Sequence, residues 1–335
     1  MITIKDIAKM ANVSTATVSR VLNNNYPVSQ EVRERVLNVV KEFNYRPNDV
    51  ARSLKQKKTY LIGLLVPDIS NPYFMEIARG VESVVSHLGY HMLLASTDED
   101  ERKELKLLKL FYEKRVEFVV LATRQNQATI LNEFIHQGLK LVMVDSEIEG
   151  VKADVVVEDN RYGAYQLVQH LIEQGHQKIG IINGLMDIST AQERYQGFHD
   201  ACIDHKVPIY ESYILEGAYN RKKAYDSMVH MINSQSKDLP TAIFSVNNDM
   251  TEGVMMACKA IGLQIPNNIS LVSFGDIRVP ELIEPKLTII HQNPLEIGQK
   301  AGEILLSRIS NSTSVPYKKH IISSKIKIGS SVKRI

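Results

Sequence analysis

The side chains best equipped for chemistry sit where apolar runs give way to amphipathic ones. Thr190 and Arg194 open one such stretch, TAQERYQGF. An arginine one turn into a helix offers paired donors to hydroxyls or to a carboxylate, although an exposed surface cation fits the same spacing. Asn247, Asn248 and Asp249 open a second stretch. The Asn248 amide both donates and accepts, which suits sugar hydroxyls, while Asp249 could instead cap the helix that follows. Tyr73 and Phe74, in DISNPYF, could lay an apolar face against one side of a sugar ring, with one of the two packing the interior instead. Gln292 could close the set. These groups describe recognition of a small hydroxylated molecule rather than its conversion. No GxSxG elbow, P-loop or GxGxxG lies in a strand-to-helix turn. The ten histidines are scattered, and His176 before an apolar run reads as packed or surface. No CxxC or HxxxH cluster suggests a metal. The expectation is a binding protein with no cofactor, not an enzyme.

The elements that must position these residues follow from position 59 onward. Apolar runs at 61–66, 91–95, 118–122, 139–144 and 155–157 alternate with amphipathic stretches at 73–88, 102–114 and 128–137. A second series puts strands at 179–183, 213–216, 242–246, 271–274 and 287–291, with helices between them and a pairing strand at 319–328. This is the βαβ pattern of a parallel sheet, written twice. Two α/β halves suit a bilobed domain with a cleft between them. In open parallel sheets, ligands bind beyond the carboxyl ends of the strands, where the candidate residues fall.

Residues 1–58 are of a different kind. Three short helices are predicted. Ile7 and Ala8 face inward on the first, and Asn12 and Val13 form a turn. Ser14 caps the second, which buries Val18, Val21 and Leu22 and exposes Thr15, Ala16, Ser19 and Arg20. Ser29 opens the third, whose buried side is Val32, Val36, Val39, Val40 and Phe43. Two short helices joined by a turn, the second exposing small polar residues, make a helix-turn-helix; a ligand-free three-helix core is the plainer alternative. Asn48 can then cap a short basic segment, DVARSLKQ. It is shorter than the roughly 12 to 15 residues a helix needs in water, so it is expected to order only when held. Leu54 has no obvious core to enter and could serve as a wedge between base steps.

Charge and composition agree. Residues 1–60 carry 11 Lys and Arg against 5 Asp and Glu, whereas the whole chain is only +2. A basic head on a mildly acidic body implies that the head meets a polyanion. No signal peptide or membrane-length apolar run is read in the 335 residues. Cys202 and Cys258 are expected to be reduced packing residues, and the location cytoplasmic.

The segments DIAKMANVSTATVSRVLN, YRPNDVARSLK and IGLLVPDISNPYF make the chain resemble the LacI family of transcriptional regulators over nearly its whole length. The fold class is α/β, with an all-α helix-turn-helix head (1–47), a hinge helix (48–58) and a domain at 59–335. The resemblance implies that this domain is a bilobed, periplasmic-binding-protein-like one with two doubly wound parallel sheets. It places the N-lobe at about 60–160 and 293–320 and the C-lobe at about 161–291 and 321–335. It implies a homodimer on double-stranded operator DNA, with no membrane partner, repressing carbohydrate uptake or catabolism under control of a sugar, sugar phosphate or sugar acid. Thr15, Ala16 and Arg20 are expected on the bases, and Thr3, Ser14, Thr17, Ser19 and Asn23 on phosphates. Asn48, Ala51, Arg52, Leu54 and Lys55 are expected in the minor groove.

The resemblance also assigns effector contact to Tyr73, Phe74, Thr190, Arg194, Tyr219, Asn248, Asp276 and Gln292. One departure stands out: where relatives carry an aromatic followed by Asp, this chain has Phe274-Gly275-Asp276. Either Asp276 still reaches the cleft or that contact is missing. Asp159 and Arg161, at the first crossover, fit a cap or ion pair as well as ligand contact. A catabolite-control regulator, held by a phosphorylated carrier protein, is the alternative. The acidic Glu296 and Glu303 on the helix after the last crossover suit a phosphorylated partner poorly.

Overall fold

The computed structural model of the chain describes residues 2–23, 26–45, 58–124, 126, 128–234, 238–310 and 316–335. The chain forms two units, Met1–Thr59 and Tyr60–Ile335. In the first, α1 (Ile4–Met10), α2 (Thr15–Asn23) and α3 (Gln30–Glu42) enclose a small core of Ile7, Ala8, Ala11, Val18, Val21 and Val36. Thr3 and Asp6 close a capping box on α1. Ser14 accepts from Thr17 N at 3.1 Å at the start of α2. Asn12, at φ 52°, turns the chain between the two helices. Phe43 departs from the buried face expected of it. It lies just past α3 and is 39% exposed. Asn44 turns left-handed after it, and Tyr45 N bonds back to Val40 O at 2.9 Å, so Tyr45 packs on the core instead.

The second unit holds two six-stranded sheets. The first has the order β11-β5-β4-β3-β1-β2, from β1 (Leu61–Val66), β2 (His91–Ser96), β3 (Phe118–Leu121), β4 (Lys140–Val144), β5 (Asp154–Glu158) and β11 (Lys319–Ile322). All its pairings are parallel. One face is covered by α4 (Pro72–Val85) and α11 (Pro294–Ser310), and the other by α5 (Glu101–Glu113) and α6 (Ala128–His136). Strands buried on both faces read as the continuous Leu/Val runs seen in the sequence. The α4–α11 contact is close because glycines meet there: a Cβ on Gly80 would lie 2.8 Å from Gly298 Cα, and one on Gly298 2.1 Å from Ile77 O.

The second sheet runs β12-β10-β9-β8-β6-β7. Its strands are β6 (Ile179–Asn183), β7 (Ile214–Glu216), β8 (Ala242–Ser245), β9 (Ser270–Phe274), β10 (Thr288–His291) and β12 (Lys325–Lys327). Its helices are α7 (Asn160–Glu173), α8 (Ser189–Asp204), α9 (Arg221–Ser234) and α10 (Asn248–Ile261). Only β12 is antiparallel, along β10. The single pairing strand expected at 319–328 is thus two strands, one on the edge of each sheet. Ile321 and Ile322 stay with the first sheet, and the chain crosses after them. Cys202 and Cys258 are buried and unpaired; burial pushes their thiols up to about 12 and about 11, so neither is poised to react. His176 is buried, bonded to Thr241 Oγ1 and Lys333 O.

Candidate functional site

On the head, Thr15, Ala16 and Arg20 lie exposed along α2, with Ser14 and Asn23 at its ends and Thr17 and Ser19 half-buried between. The Arg20 guanidinium lies 5.5 Å from the Tyr26 ring centre. Several predicted phosphate contacts already have local partners. The Thr3 hydroxyl donates to Asp6 at 2.7 Å, Ser14 Oγ lies 2.9 Å from Thr17 Oγ1, and Asn23 Nδ2 donates to Ser19 O at 2.8 Å. Hydroxyls held this way fix the helix ends; a phosphate oxygen is an acceptor, so the Thr3 hydroxyl would have to leave Asp6 to donate to one. Asn48, Ala51, Arg52, Leu54 and Lys55 lie outside the described residues.

In the second unit, loops at the carboxyl ends of strands from both sheets converge. Thr190 and Arg194, in the first turns of α8, are both buried. The Thr190 hydroxyl lies 2.6 Å from the Tyr219 hydroxyl. Arg194 stacks 3.9 Å over the Phe274 ring and donates Nε to Asn160 at 2.9 Å and Nη1 to Val246 O at 2.6 Å. Asn247 caps α10 by accepting from Met250 N. That leaves Asn248 to face across, where its Nδ2 donates to Asn71 Oδ1 at 3.1 Å. Asn71, which caps α4 before Pro72, returns the bond and also donates to Asp249 at 3.0 Å. A paired amide thus ties the first sheet's α4 to the second sheet's α10.

Tyr73, Phe74, Thr190, Arg194, Tyr219, Asn248 and Gln292 all line one small cavity, together with Asn71, Arg124, Asp145 and Asn247. Its volume is about 30 Å³, enough for a water and too little for a sugar. Tyr73, Asn248 and Gln292 also line an open groove of about 1120 Å³ alongside, and so form the partition between the two spaces. Burial, reinforced by the Asp145 and Glu158 carboxylates and opposed by Arg194, raises the Tyr73 phenol well above its ordinary value. Glu158, buried, accepts from Gln292 Nε2 at 2.6 Å and from Asn293 N at 2.8 Å.

Asp276 does not join this set. Its carboxylate turns to His291 Nδ1 at 2.7 Å and faces the open groove. Gly275 has φ +100°, and a Cβ there would stand 2.4 Å from Gln292 Oε1. The space that a side chain at 275 would use holds Gln292, so the cavity carries no carboxylate from this strand end. Arg161 and Asp159 are likewise elsewhere: Arg161 pairs with Asp200 at 2.6 Å, and Asp159 caps α7. Arg124, Asp145 and Asn71 are the cavity residues that the sequence reading passed over. Asp145 directly follows β4 and Arg124 lies in the loop after β3, so the rule that located Asn248 would have found both.

Residues 3–48 match the bacterial regulatory proteins of the lacI family, and residues 59–328 match the periplasmic binding proteins and sugar binding domain of the LacI family. The chain belongs to the LacI family. It is 38% identical over 314 residues to the HTH-type transcriptional repressor PurR of Haemophilus influenzae, covering 93% of this chain and 92% of that one. It is 35% identical over 311 residues to the ribose operon repressor of the same species, with 93% of each covered. The lac repressor dimer bound to operator and the anti-inducer ONPF shares the fold, with a TM-score of 0.86 at 24% identity over 99% of each chain. This LacI-family protein is therefore a DNA-binding transcriptional repressor and not an enzyme. Among its described residues, no helix is long and apolar enough to cross a membrane.

Proposed function

We propose that this repressor binds a near-palindromic operator as a homodimer, controls carbohydrate uptake or catabolism genes, and releases DNA when a small sugar-like effector enters the interlobe cleft. The observation that carries the effector half is the cavity itself, where polar groups of both sheets meet beside the aromatic faces of Tyr73, Phe74 and Tyr219. A ligand touching both lobes binds one lobe arrangement better than another, which is the condition for shifting between them. On the operator side, Arg20 is suited to a guanine edge. Residues 48–56 would fold in the central minor groove with Leu54 as the wedge. The rival corepressor, a phosphorylated carrier protein, gains no support from the groove beside the cleft. That groove presents Glu76, Glu296 and Glu303, and its Lys300 is already paired with Glu303 at 3.1 Å.

The test joins two measurements on the full-length protein: anisotropy binding to DNA upstream of its own gene, and a thermal-shift screen of sugars, sugar phosphates and sugar acids, ribose included. A ligand at 100 times its dissociation constant adds about 2.7 kcal/mol of stability. The expected result is one ligand that both raises the melting temperature and releases the DNA. Stabilisation that survives Arg194→Met would remove the cleft from the account. Binding no tighter to that DNA than to random duplex would remove the operator reading.

A further inference from the structure

The charges around the cavity do not balance. Three charged side chains line it: Arg124 from the loop after β3, Arg194 from α8, and Asp145 from the loop after β4. The Asp145 carboxylate lies close enough to the Tyr73 hydroxyl to raise its pKa. Arg194 is satisfied on two nitrogens by Asn160 and Val246 O. Arg124 is not. Its side chain is only 10% exposed, its Nε is buried without a hydrogen-bond partner, and the nearest carboxylate, Glu99, stands 3.9 Å away and opens to solvent. What holds Arg124 is the face of Tyr219, 4.3 Å beneath its guanidinium. That contact crosses from one lobe to the other and leaves the planar edge of five donors free of hydrogen bonds among the described residues. A buried Nε–H without an acceptor is costly, and a guanidinium fork matches carboxylate and phosphate oxygens. The strand end that could have supplied a compensating acid carries Gly275, whose side-chain space is taken by the neutral Gln292.

Resting on the cleft reading above, we infer that the effector is an oxyanion-bearing small molecule, a sugar acid or sugar phosphate, whose anionic group seats on Arg124. Its polar body would lie toward Thr190, Arg194 and Asn248. Entry requires the partition of Tyr73, Asn248 and Gln292 to yield, because the closed void holds no more than a water. The anion then gives the Arg124 Nε–H an acceptor, an interaction available only with ligand present.

The test uses matched pairs on the full-length protein: gluconate against glucose for a carboxylate, and ribose 5-phosphate against ribose and glucose 6-phosphate against glucose for a phosphate. Calorimetry is expected to show one charged member binding at least about tenfold tighter than its neutral partner. Arg124→Gln, which keeps length and loses charge, should weaken that ligand about 10- to 100-fold, while Arg124→Lys retains more of the affinity than Gln does. Which pair responds distinguishes carboxylate from phosphate. The inference is overturned if no charged member binds, if the neutral partner binds equally well, or if Arg124→Gln leaves the dissociation constant within twofold. A neutral ligand sensitive to Arg194→Met but not to Arg124→Gln would preserve the cleft as effector site and sink the anion alone. A ligand indifferent to both changes would sink the cleft as well.

Discussion

At Gly275 the backbone sits at φ +100° with Gln292 Oε1 where a Cβ would go. An L side chain there is strained twice, by its own conformation and by displacement of Gln292 from Glu158. Gly275→Ala is therefore expected to cost about 1–3 kcal/mol, read as a lower urea midpoint with unchanged slope. An unaltered midpoint would mean that Gln292 moves freely and is no wall of the cavity. A second residue with a clear signature is Glu104, buried in α5 with the Thr123 hydroxyl donating to it at 2.8 Å. Burial pushes its carboxyl from an ordinary 4.5 up to about 7. The folded state then holds a proton that the unfolded chain releases, so this group's contribution to stability is full below pH 4.5 and is lost as pH rises to about 7. Glu104→Gln should remove that slope, making the variant relatively more stable at pH 8 than at pH 4.5, by about 3 kcal/mol at most. Parallel denaturation curves for the two proteins at both pH values would contradict it.

For elements, the sequence was most informative where one physical requirement fixes the pattern. Strands such as FVVL and KLVMV are buried on both faces and can only be apolar, so the interior strands were legible with boundaries off by a residue or so; the edge strands β2 and β7, only partly buried, were legible from their apolar runs alone. The tail was not. The run at 319–328 alternates only in its second half, and the Ser323-Ser324 pair that interrupts it does not say that the chain changes sheets there; that is set by which strand offers an open edge, β5 or β10. The cavity was legible wherever a strand end led into a helix bearing a conspicuous polar residue. Arg124 was passed over because ATRQNQ has no aromatic, and Asp276 was misplaced because one left-handed glycine redirects the chain. The short segment at 48–56 has a local argument only: too short to hold a helix unaided, with an orphan leucine. Leu54→Ala is accordingly expected to weaken operator binding at least about tenfold while changing binding to random duplex little, since a wedge acts only at a site that can be opened. Anisotropy titrations on the two DNAs check this, and equal loss on both would exclude the wedge.

At the level of the whole effector-binding unit, the two lobes are fastened together around a void too small for the ligand they are proposed to bind. Some fasteners, Asn71 with Asn248 and Arg124 on Tyr219, belong to the cavity. Others lie away from it: Glu147 N donates to Ser189 Oγ at 2.9 Å, and Lys319 on β11 reaches Glu193 on α8 at 3.4 Å. If the ligand must part the lobes to enter, every closing contact outside the site opposes binding, and removing such contacts tightens it without touching the ligand. Ser189→Ala gives up about 1 kcal/mol of hydrogen bonding. Lys319→Met, at a partly exposed ion pair, adds a fraction of that. Combined, the two substitutions are expected to lower the effector concentration for half-release of operator about threefold to tenfold, measured with whichever ligand the screen returns. By reciprocity the same change must appear as weaker operator binding at fixed effector. A double variant whose release curve overlays that of the parent would mean that the ligand enters without the lobes separating. The partition of Tyr73, Asn248 and Gln292 alone would then be the gate.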